Sequence, residues 1–378
     1  MDFAFDEEQE ELRQTVRQAL AREFPVTALR AFYEAPLDDK GARARARWSV
    51  LAALGAPGLL VPEAAGGLGL SDVDLVGVLE EAGWAALPEP LLETAALAAP
   101  MLAALLPAPS AAAALATLLS EEAPLAVGGI DVGVAGPSSP TTVSADGMLR
   151  TPRVVGAREA GVYLLAVRDP DSGWQLHAVP AEACAVEPTA TLDQARDLST
   201  VHWPLTADTL LAYGVAAEAS VGLMADRAAA GSAAYLAGLA DRMITMAADY
   251  AKERQQFGRP IGSFQAVKHL LANARVKLEF ARPATYRAAW SLATAQPTVS
   301  RDASMAKALA SEAADLAARV ALQVHGAIGY TWECDLHFFM KRTWALSRTW
   351  GDAATHRRLV LAQARRAPLS TRQTRNTG

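Results

Sequence analysis

The chain has 378 residues, 51% of them hydrophobic, which is enough for two or three packed units around a sizeable core. Its 35 basic and 41 acidic residues give a net charge of -6, and this balance argues against a nucleic-acid-binding surface. The two cysteines lie far apart in sequence and predict neither a disulfide framework nor a metal site, so a reducing compartment is expected. The acidic first residues carry no signal-peptide core, and these features together predict a cytoplasmic protein.

Helical patterns dominate the first part of the chain. Asp6 followed by Gln9 predicts a capping box at the start of the first helix, and Ser71 is predicted to cap a later one. The Ala/Leu-rich run from Thr94 to Leu119 is interrupted by three prolines, so it predicts short packed helices and not a membrane span. We therefore expect a helical domain over residues 1–123.

Short β-type runs replace the helical pattern over residues 124–210. Residues 154–155, 161–167 and 174–179 are rich in β-branched and aromatic side chains and are separated by turn residues. Such runs predict a small antiparallel barrel or sandwich.

Long helical patterns return over residues 211–364. The predicted helices run from Tyr213 to Glu253, from Phe264 to Thr294, from about Ser300 to Gly326, and from about Trp332 to Ala364 with an interruption near Gly351. Four such helices with short connections predict a bundle, and residues 365–378 are predicted to be a disordered tail. The expected fold is mainly α, with a helical domain, a small β domain and a four-helix bundle in that order.

Two segments of the bundle carry residue types that suit a nucleotide. Residues 250–265 read YAKERQQFGRPIGSFQ, so a helix carrying Arg254 runs into a Phe-Gly turn before a second helix begins. This arrangement offers a guanidinium fork and backbone N–H groups to a diphosphate. Residues 323–333 read QVHGAIGYTWE and supply a second piece, in which Gly326 lets the backbone approach a ligand closely.

Together the two segments resemble the flavin-binding edge of the acyl-CoA dehydrogenase family, and the order of the three domains fits that family as well. The resemblance covers nearly the whole chain and is weakest in the β domain. Residues 331–337, TWECDLH, are similar to the version found in actinobacterial enzymes that act on steroid side-chain CoA thioesters, although a His is usual at Cys334.

The resemblance implies an FAD that lies across a subunit interface. Taken alone, Arg254 would be interpreted as part of a surface ion pair, but the two segments in register favour flavin contact. Gln265 is either a ligand contact or a helix cap. The implied cofactor-binding residues are Arg254, Gln256 and Phe257 at the pyrophosphate, Gln265 beside them, and Gln323, Gly326 and Ala327 at the adenosine half.

The carboxylate that the family uses as a base has no counterpart here. The reaction removes a proton beside a thioester while a hydride leaves the next carbon, so a carboxylate must lie within hydrogen-bond reach. Trp350 occupies the usual position of this acid, and Ala228 occupies the second position known in the family. Asp226 lies two residues from Ala228, and two residues turn a helical side chain by about 200°, so Asp226 is expected to face elsewhere.

The β domain also lacks the residues that contact the flavin ring in the family. Residues 130–136 contain no Thr-Glu-Pro loop, and Val155 replaces the tryptophan that stacks on the ring. A symmetric homo-oligomer would then pair an intact half-site with a damaged one at every interface. The resemblance therefore implies the non-base subunit of an α2β2 acyl-CoA dehydrogenase.

In this interpretation a paralogous partner supplies the glutamate and most of the acyl pocket. The implied substrate is a bulky acyl-CoA, for which a steroid with a degraded side chain is the candidate, and an electron-transfer flavoprotein is the expected acceptor. No nucleic acid or membrane partner is expected.

Three alternatives remain open from the sequence. The chain could be a self-sufficient homo-oligomeric dehydrogenase whose relocated base is Asp226, Asp352 or Glu333. It could be a flavin-free scaffold that only stabilises a paralogue. It could also be a flavin monooxygenase on the same fold, which needs no glutamate and which oxygen consumption with reduced flavin would reveal.

Overall fold

The structure is a computed structural model that describes residues 5–35, 37–120, 123–144 and 147–366, the side chains of residues 37–43 and 366 excepted. An N-terminal helical domain, a middle β domain and a C-terminal helical domain follow one another, which confirms the predicted fold class. No helix in these ranges is long and apolar enough to cross a membrane.

In the part of the first domain that the structure describes, the chain forms six α-helices and a π-helical segment. The capping box predicted from Asp6 and Gln9 is present, and Ser71 forms a second one with Asp74. The Ala/Leu-rich run folds as short helical segments, as expected: the chain breaks at Pro107 and Pro109, whereas at Pro100 the π-helical segment continues directly into an α-helix. The bounds are α1 (Glu7–Glu23), α2 (Val26–Glu34), α3 (Leu37–Ala53), α4 (Asp72–Trp84), the π segment (Leu92–Ala98), α5 (Ala99–Ala104) and α6 (Pro109–Leu119).

Two four-stranded sheets form the middle domain, in the orders β1-β6-β7-β10 and β4-β5-β9-β8, with β2 and β3 as a separate pair. The expectation of an antiparallel domain is wrong for one pair, because β1 runs parallel to β6. The chain passes through the second sheet between these two strands, and such a long crossover permits parallel pairing. The bounds are β1 (Leu125–Gly128), β2 (Asp131–Gly133), β3 (Gly136–Ser138), β4 (Thr142–Val143), β5 (Leu149–Val155), β6 (Val162–Asp169), β7 (Gly173–Pro180), β8 (Ala185–Pro188), β9 (Leu198–Trp203) and β10 (Leu210–Tyr213).

Long helices build the last domain. The fourth predicted helix is two helices, separated at the predicted interruption by residues 347–352, where Gly351 has a φ of 89°. The last helix continues through residue 366, two residues past the predicted boundary, and residues 367–378 of the predicted tail lie outside the described residues. The bounds are α7 (Gly214–Glu253), α8 (Gln265–Ala293), α9 (Val299–His325), α10 (Leu336–Leu346) and α11 (Ala353–Arg366), with the two-residue strands β11 (Gln255–Gln256) and β12 (Arg259–Pro260) between α7 and α8.

A buried polar network joins the three domains. Asp193 of the β domain is fully buried and accepts hydrogen bonds from the Tyr33 hydroxyl of α2 and from the Arg342 guanidinium of α10. Arg342 also donates to the carbonyl of Leu87, which follows α4, and to the Tyr235 hydroxyl of α7. Burial by itself would raise the pKa of Asp193, but the Arg342 charge and the hydrogen bonds from Arg342 and Tyr33 hold it below its usual value. The network therefore fixes the relative positions of the domains.

Candidate functional site

The C-terminal end of α7 leads into an exposed hairpin. Arg254 caps the helix, and its carbonyl accepts a hydrogen bond from the backbone N–H of Ile261 at 2.8 Å. Phe257 and Gly258 form the turn with φ angles of 52° and 77°, a geometry that matches the twist of a two-residue hairpin. The side chains of Arg254, Gln256 and Gln265 are exposed, and Phe257 is 91% exposed.

The second segment lies at the same end of the bundle. The His325 ring stacks on Tyr250 with centroids 4.6 Å apart, so the end of α9 packs beside the last turn of α7. Burial lowers the pKa of His325, and its Nδ1 lies 2.8 Å from the Ala321 carbonyl, which is a structural role. Beyond it Gly326 adopts a φ of 65°, and the remaining predicted positions in this segment are exposed: Gln323, Gly326 and Ala327.

The polar groups at this edge suit a nucleotide diphosphate. Arg254 forms no ion pair with any carboxylate in the described ranges. It is therefore not part of the surface ion pair that the residue taken alone would suggest. Helix α8 begins at Gln265 without a side-chain cap, which leaves its first backbone N–H groups free to meet an anion. A cation, helix N–H groups and an exposed aromatic ring therefore lie on one surface.

Residues 331–337 join this end of the bundle to the first domain. Trp332 Nε1 donates to Glu34 at 3.0 Å, and Arg30 forms an ion pair with Asp335 at 2.6 Å. The His337 ring stacks on Trp332 with centroids 4.5 Å apart. These contacts indicate a structural role for the run.

A cleft of about 200 Å³ separates the β domain from the loop between α10 and α11. One wall comes from β1, β5, β9 and the segment that follows β1, and the other wall comes from residues 345–350. Its lining includes Val127, Ile130, Asp131, Arg153, Val155, Leu198, Arg348 and Trp350.

Trp350 stands at the position where the sequence analysis looked for an acid. It is 7% exposed, lines the cleft and adopts a φ of 61°. Ala228, the second such position, is fully buried on α7. An indole and a methyl group cannot accept the proton of a carbon acid, so neither position supplies a base.

None of the three acids considered as relocated bases lines the cleft. Asp226 accepts a hydrogen bond from Ser300 Oγ at 2.5 Å, and burial raises the pKa of its carboxyl to about 6. Asp352 accepts from the Thr355 backbone at 2.8 Å, which lowers its pKa. Glu333 lies in the exposed turn before α10.

Asp131, which was not among the predicted bases, has a carboxylate that does line the cleft. Asp131 forms an ion pair with Arg153 across the β-domain wall. The two residues are 22 positions apart in different strands, so no local pattern marks the pair. The Asp131 carboxylate in the cleft is therefore paired with the Arg153 guanidinium.

The loop that carries Trp350 is held from two sides. Lys307 of α9 is fully buried and donates to the Leu346 carbonyl at 2.6 Å, and burial lowers its pKa to about 7. His356 Nε2 lies 2.8 Å from the Trp350 carbonyl, and burial lowers the pKa of His356 to about 4. Lys307 was missed, although a single lysine on the alanine-rich face of a helix is a signal for a buried charge.

Comparison with known proteins shows what the chain resembles. Residues 6–107 match the acyl-CoA dehydrogenase N-terminal domain, and residues 217–364 match the acyl-CoA dehydrogenase C-terminal domain. The acyl-CoA dehydrogenase IpdE2 of Mycobacterium tuberculosis is 32% identical over 89% of this chain and 91% of its own length.

Two further relatives differ in how much they share with the chain. The acyl-CoA dehydrogenase FadE34 of the same organism is 34% identical over 82% of this chain, which spans only 41% of the FadE34 length. Among solved structures, the Tcur3481–Tcur3483 steroid ACAD variant is 28% identical with a TM-score of 0.81, over 96% of this chain and 99% of that one.

Proposed function

The chain belongs to the acyl-CoA dehydrogenase family, and we propose that it is the non-base subunit of a heteromeric member of that family. The family's reaction oxidises the CH–CH bond beside a CoA thioester, and the family indicates FAD as the cofactor. In the proposed assembly a paralogous subunit supplies the catalytic glutamate and the pocket for the flavin ring. This chain supplies the surface that binds the pyrophosphate and adenosine end.

The bundle edge is the observation that carries the proposal. Arg254 and the free N–H groups at the start of α8 would hold the pyrophosphate, and Gln256 and Phe257 would lie against it. Gln323, Gly326 and Ala327 would approach the adenosine half, since their surface is exposed and Gly326 carries no side chain. When bound, FAD would supply the acceptor for the hydride that leaves the second carbon from the thioester carbonyl.

The cleft supports the second half of the proposal. Trp350 fills the acid position, and Asp131, the lining carboxylate, is paired with Arg153. Val155 offers no aromatic face on which a flavin ring could stack. We therefore assign the removal of the proton to a group on the partner.

The substrate and the electron acceptor are proposed from the similarity of this chain to known proteins. The Tcur3481–Tcur3483 structure is described as a steroid ACAD, and residues 331–337 are similar to the steroid-specific version of the motif. We infer a bulky, steroid-derived CoA thioester that binds mainly in the partner, with an electron-transfer flavoprotein as acceptor.

Arg254→Ala tests the cofactor contact in the complex with the paralogous subunit. Losing a charge-assisted contact of about 1.5–3 kcal/mol weakens FAD binding about 10- to 150-fold. Arg22→Ala is the matched control, since it removes an exposed arginine of α1 whose ion pair is with its neighbour Glu23. Flavin absorbance per complex after dialysis should fall for Arg254→Ala alone. Full occupancy in both variants would mean that Arg254 is not a cofactor contact, as a flavin-free scaffold requires.

Flavin stoichiometry tests the division of labour. The assembled complex should hold one FAD for each pair of unlike subunits, and this chain alone should not reduce an electron acceptor when given an acyl-CoA. An isolated chain that turns over a thioester with one flavin per protomer would show a self-sufficient dehydrogenase. Asp131→Asn would then identify the base, because Asp131 is the carboxylate that lines the cleft.

A further inference from the structure

We propose that Arg242 and Trp84 form a binding site for a carboxylate at the surface where α1, α4, α7 and α10 meet. Neither residue lines the cleft or belongs to the two segments of the bundle edge. The carboxylate is either that of a free acid or that of an acidic side chain on a second polypeptide, and experiment separates the two sources.

Arg242 of α7 is partly buried, yet it forms no ion pair and no hydrogen bond within the described residues. Every other arginine there whose side chain is at least partly buried forms an ion pair with a carboxylate. Burial lowers the pKa of Arg242, so the guanidinium has lost part of its hydration without gaining an acid. A cation in this condition favours an anion from outside the chain.

The acids near Arg242 are already paired with other cations. Asp249 and Asp335 lie near enough to act on the charge of Arg242, but neither forms an ion pair with it. Asp249 pairs with Lys252 at 2.8 Å, and Asp335 pairs with Arg30 at 2.6 Å. Binding either acid to Arg242 would therefore break an existing pair.

Two aromatic rings hold the guanidinium in place. Its Cζ lies 5.2 Å from the centroid of the Trp84 ring and 5.7 Å from that of the Phe339 ring. Arg17 also lies over the Trp84 ring, at 4.6 Å, and its charge is balanced by Glu81. The surface therefore carries one cation, Arg242, without a counter-ion.

The form of the guanidinium selects a carboxylate. The rings attract the charge, but they supply no oxygen acceptor for the N–H donors of Arg242. The nitrogen atoms of these donors remain open to solvent, since none of them is both buried and without a hydrogen bond. A carboxylate can reach them, and its oxygens match the planar fork of the guanidinium.

Thermal unfolding of the full chain in sodium acetate near neutral pH tests the site, with sodium chloride at equal ionic strength as the reference for screening. A ligand that binds only the folded chain stabilises it by mass action. Acetate at about tenfold its Kd should therefore raise the Tm about 2 °C more than chloride does. The difference should saturate as one site fills.

Arg242→Gln removes the charge and should abolish the difference between the two salts. Arg242→Lys keeps the charge without the fork and should retain a smaller difference. Arg168→Gln is the matched control, because Arg168 is exposed, lies 5.9 Å from the Trp174 ring and likewise forms no ion pair in the described part of the chain. It should leave the difference unchanged.

Each protein is compared with itself in the two salts, so a variant that is less stable still gives a result. Equal effects of acetate and chloride on the wild type, or an acetate effect that survives Arg242→Gln, would overturn the inference.

The complex with the paralogous subunit separates the two sources of the carboxylate. If an acidic side chain of that subunit fills the site, Arg242→Gln should weaken the association of the two chains about 10- to 150-fold in analytical ultracentrifugation. Acetate should then no longer stabilise the complex more than chloride does. If the site takes a free acid, the association is unchanged and acetate stabilises the complex as well. Only this measurement takes its second chain from the proposed function, so the inference stands or falls with the isolated chain even if Arg254→Ala leaves the flavin in place.

Discussion

The buried network around Asp193 gives a prediction that does not depend on the proposed function. In Asp193→Asn the side chain keeps its shape, but the Arg342 guanidinium, itself 3% exposed, loses its counter-ion. Breaking a buried ion pair in this way costs about 3–5 kcal/mol, since the remaining charge stays desolvated. The midpoint of thermal unfolding should fall by about 4–6 °C, because the unfolding entropy of a chain of 378 residues is about 0.8 kcal/mol/K.

Asp249→Asn is the matched control, because Asp249 pairs with Lys252 at 2.8 Å on the exposed surface of α7. Removal of such a pair costs less than about 1 kcal/mol. Urea denaturation followed by circular dichroism measures both changes, and a loss for Asp193→Asn as small as for Asp249→Asn would refute the reasoning.

The same substitution has a defined pH dependence. The pKa of Asp193 in the folded state is lowered, so its contribution to stability is present above the unfolded pKa of about 3.8 and is lost as the pH falls through the folded value. The difference in stability between wild type and Asp193→Asn should therefore be constant near neutral pH and shrink below about pH 4.

Two further predictions concern the loop that carries Trp350. Gly351→Ala should destabilise the protein by about 1–3 kcal/mol because φ is 89° and a Cβ would lie 2.8 Å from His356 Nε2, whereas Gly173→Ala, at a φ of 80° in open space, should cost less in the same thermal melts. Burial lowers the pKa of Lys307 from 10.5 to about 7, so at any pH between these two values folding releases a proton from Lys307. The free energy of unfolding, measured by urea titration at pH 7 and pH 9, should rise with pH in the wild type and rise less in Lys307→Met. An equal rise in the two proteins would show that Lys307 is not the titrating group.

Features set by a few neighbouring residues could be predicted from the sequence. The capping box at Asp6 and Gln9, the prolines that divide the Ala/Leu-rich run, and the break at Gly351 all depend on backbone preferences that act over one helical turn. The two segments at the bundle edge could be selected as candidates for the same reason, because each is a continuous run of residues.

Contacts between distant residues could not be predicted. Arg342 meets Asp193 across 149 positions, and Arg196 meets Glu93 across 103 positions. Neither partner lies in a pattern that identifies the other, because the pairing depends on how whole domains dock. The prediction of an antiparallel domain was wrong for β1 and β6 for the same reason, since their parallel pairing is decided by the path of the chain between the strands.

The two candidate surfaces of this chain differ in a way that bears on assembly. The bundle edge leaves Phe257 91% exposed and Arg254 without an ion pair, although buried or half-buried arginines elsewhere in the described residues form many ion pairs. An exposed aromatic ring at a hairpin turn does not stabilise an isolated chain, so this surface is best explained by a ligand or a partner chain that covers it. The cleft, by contrast, is lined by a buried indole and a paired carboxylate. Under the proposed function, two identical copies would join this edge to a cleft whose lining carboxylate, Asp131, is paired with Arg153, whereas an unlike partner with a free acid in its own cleft could use the edge that this chain offers.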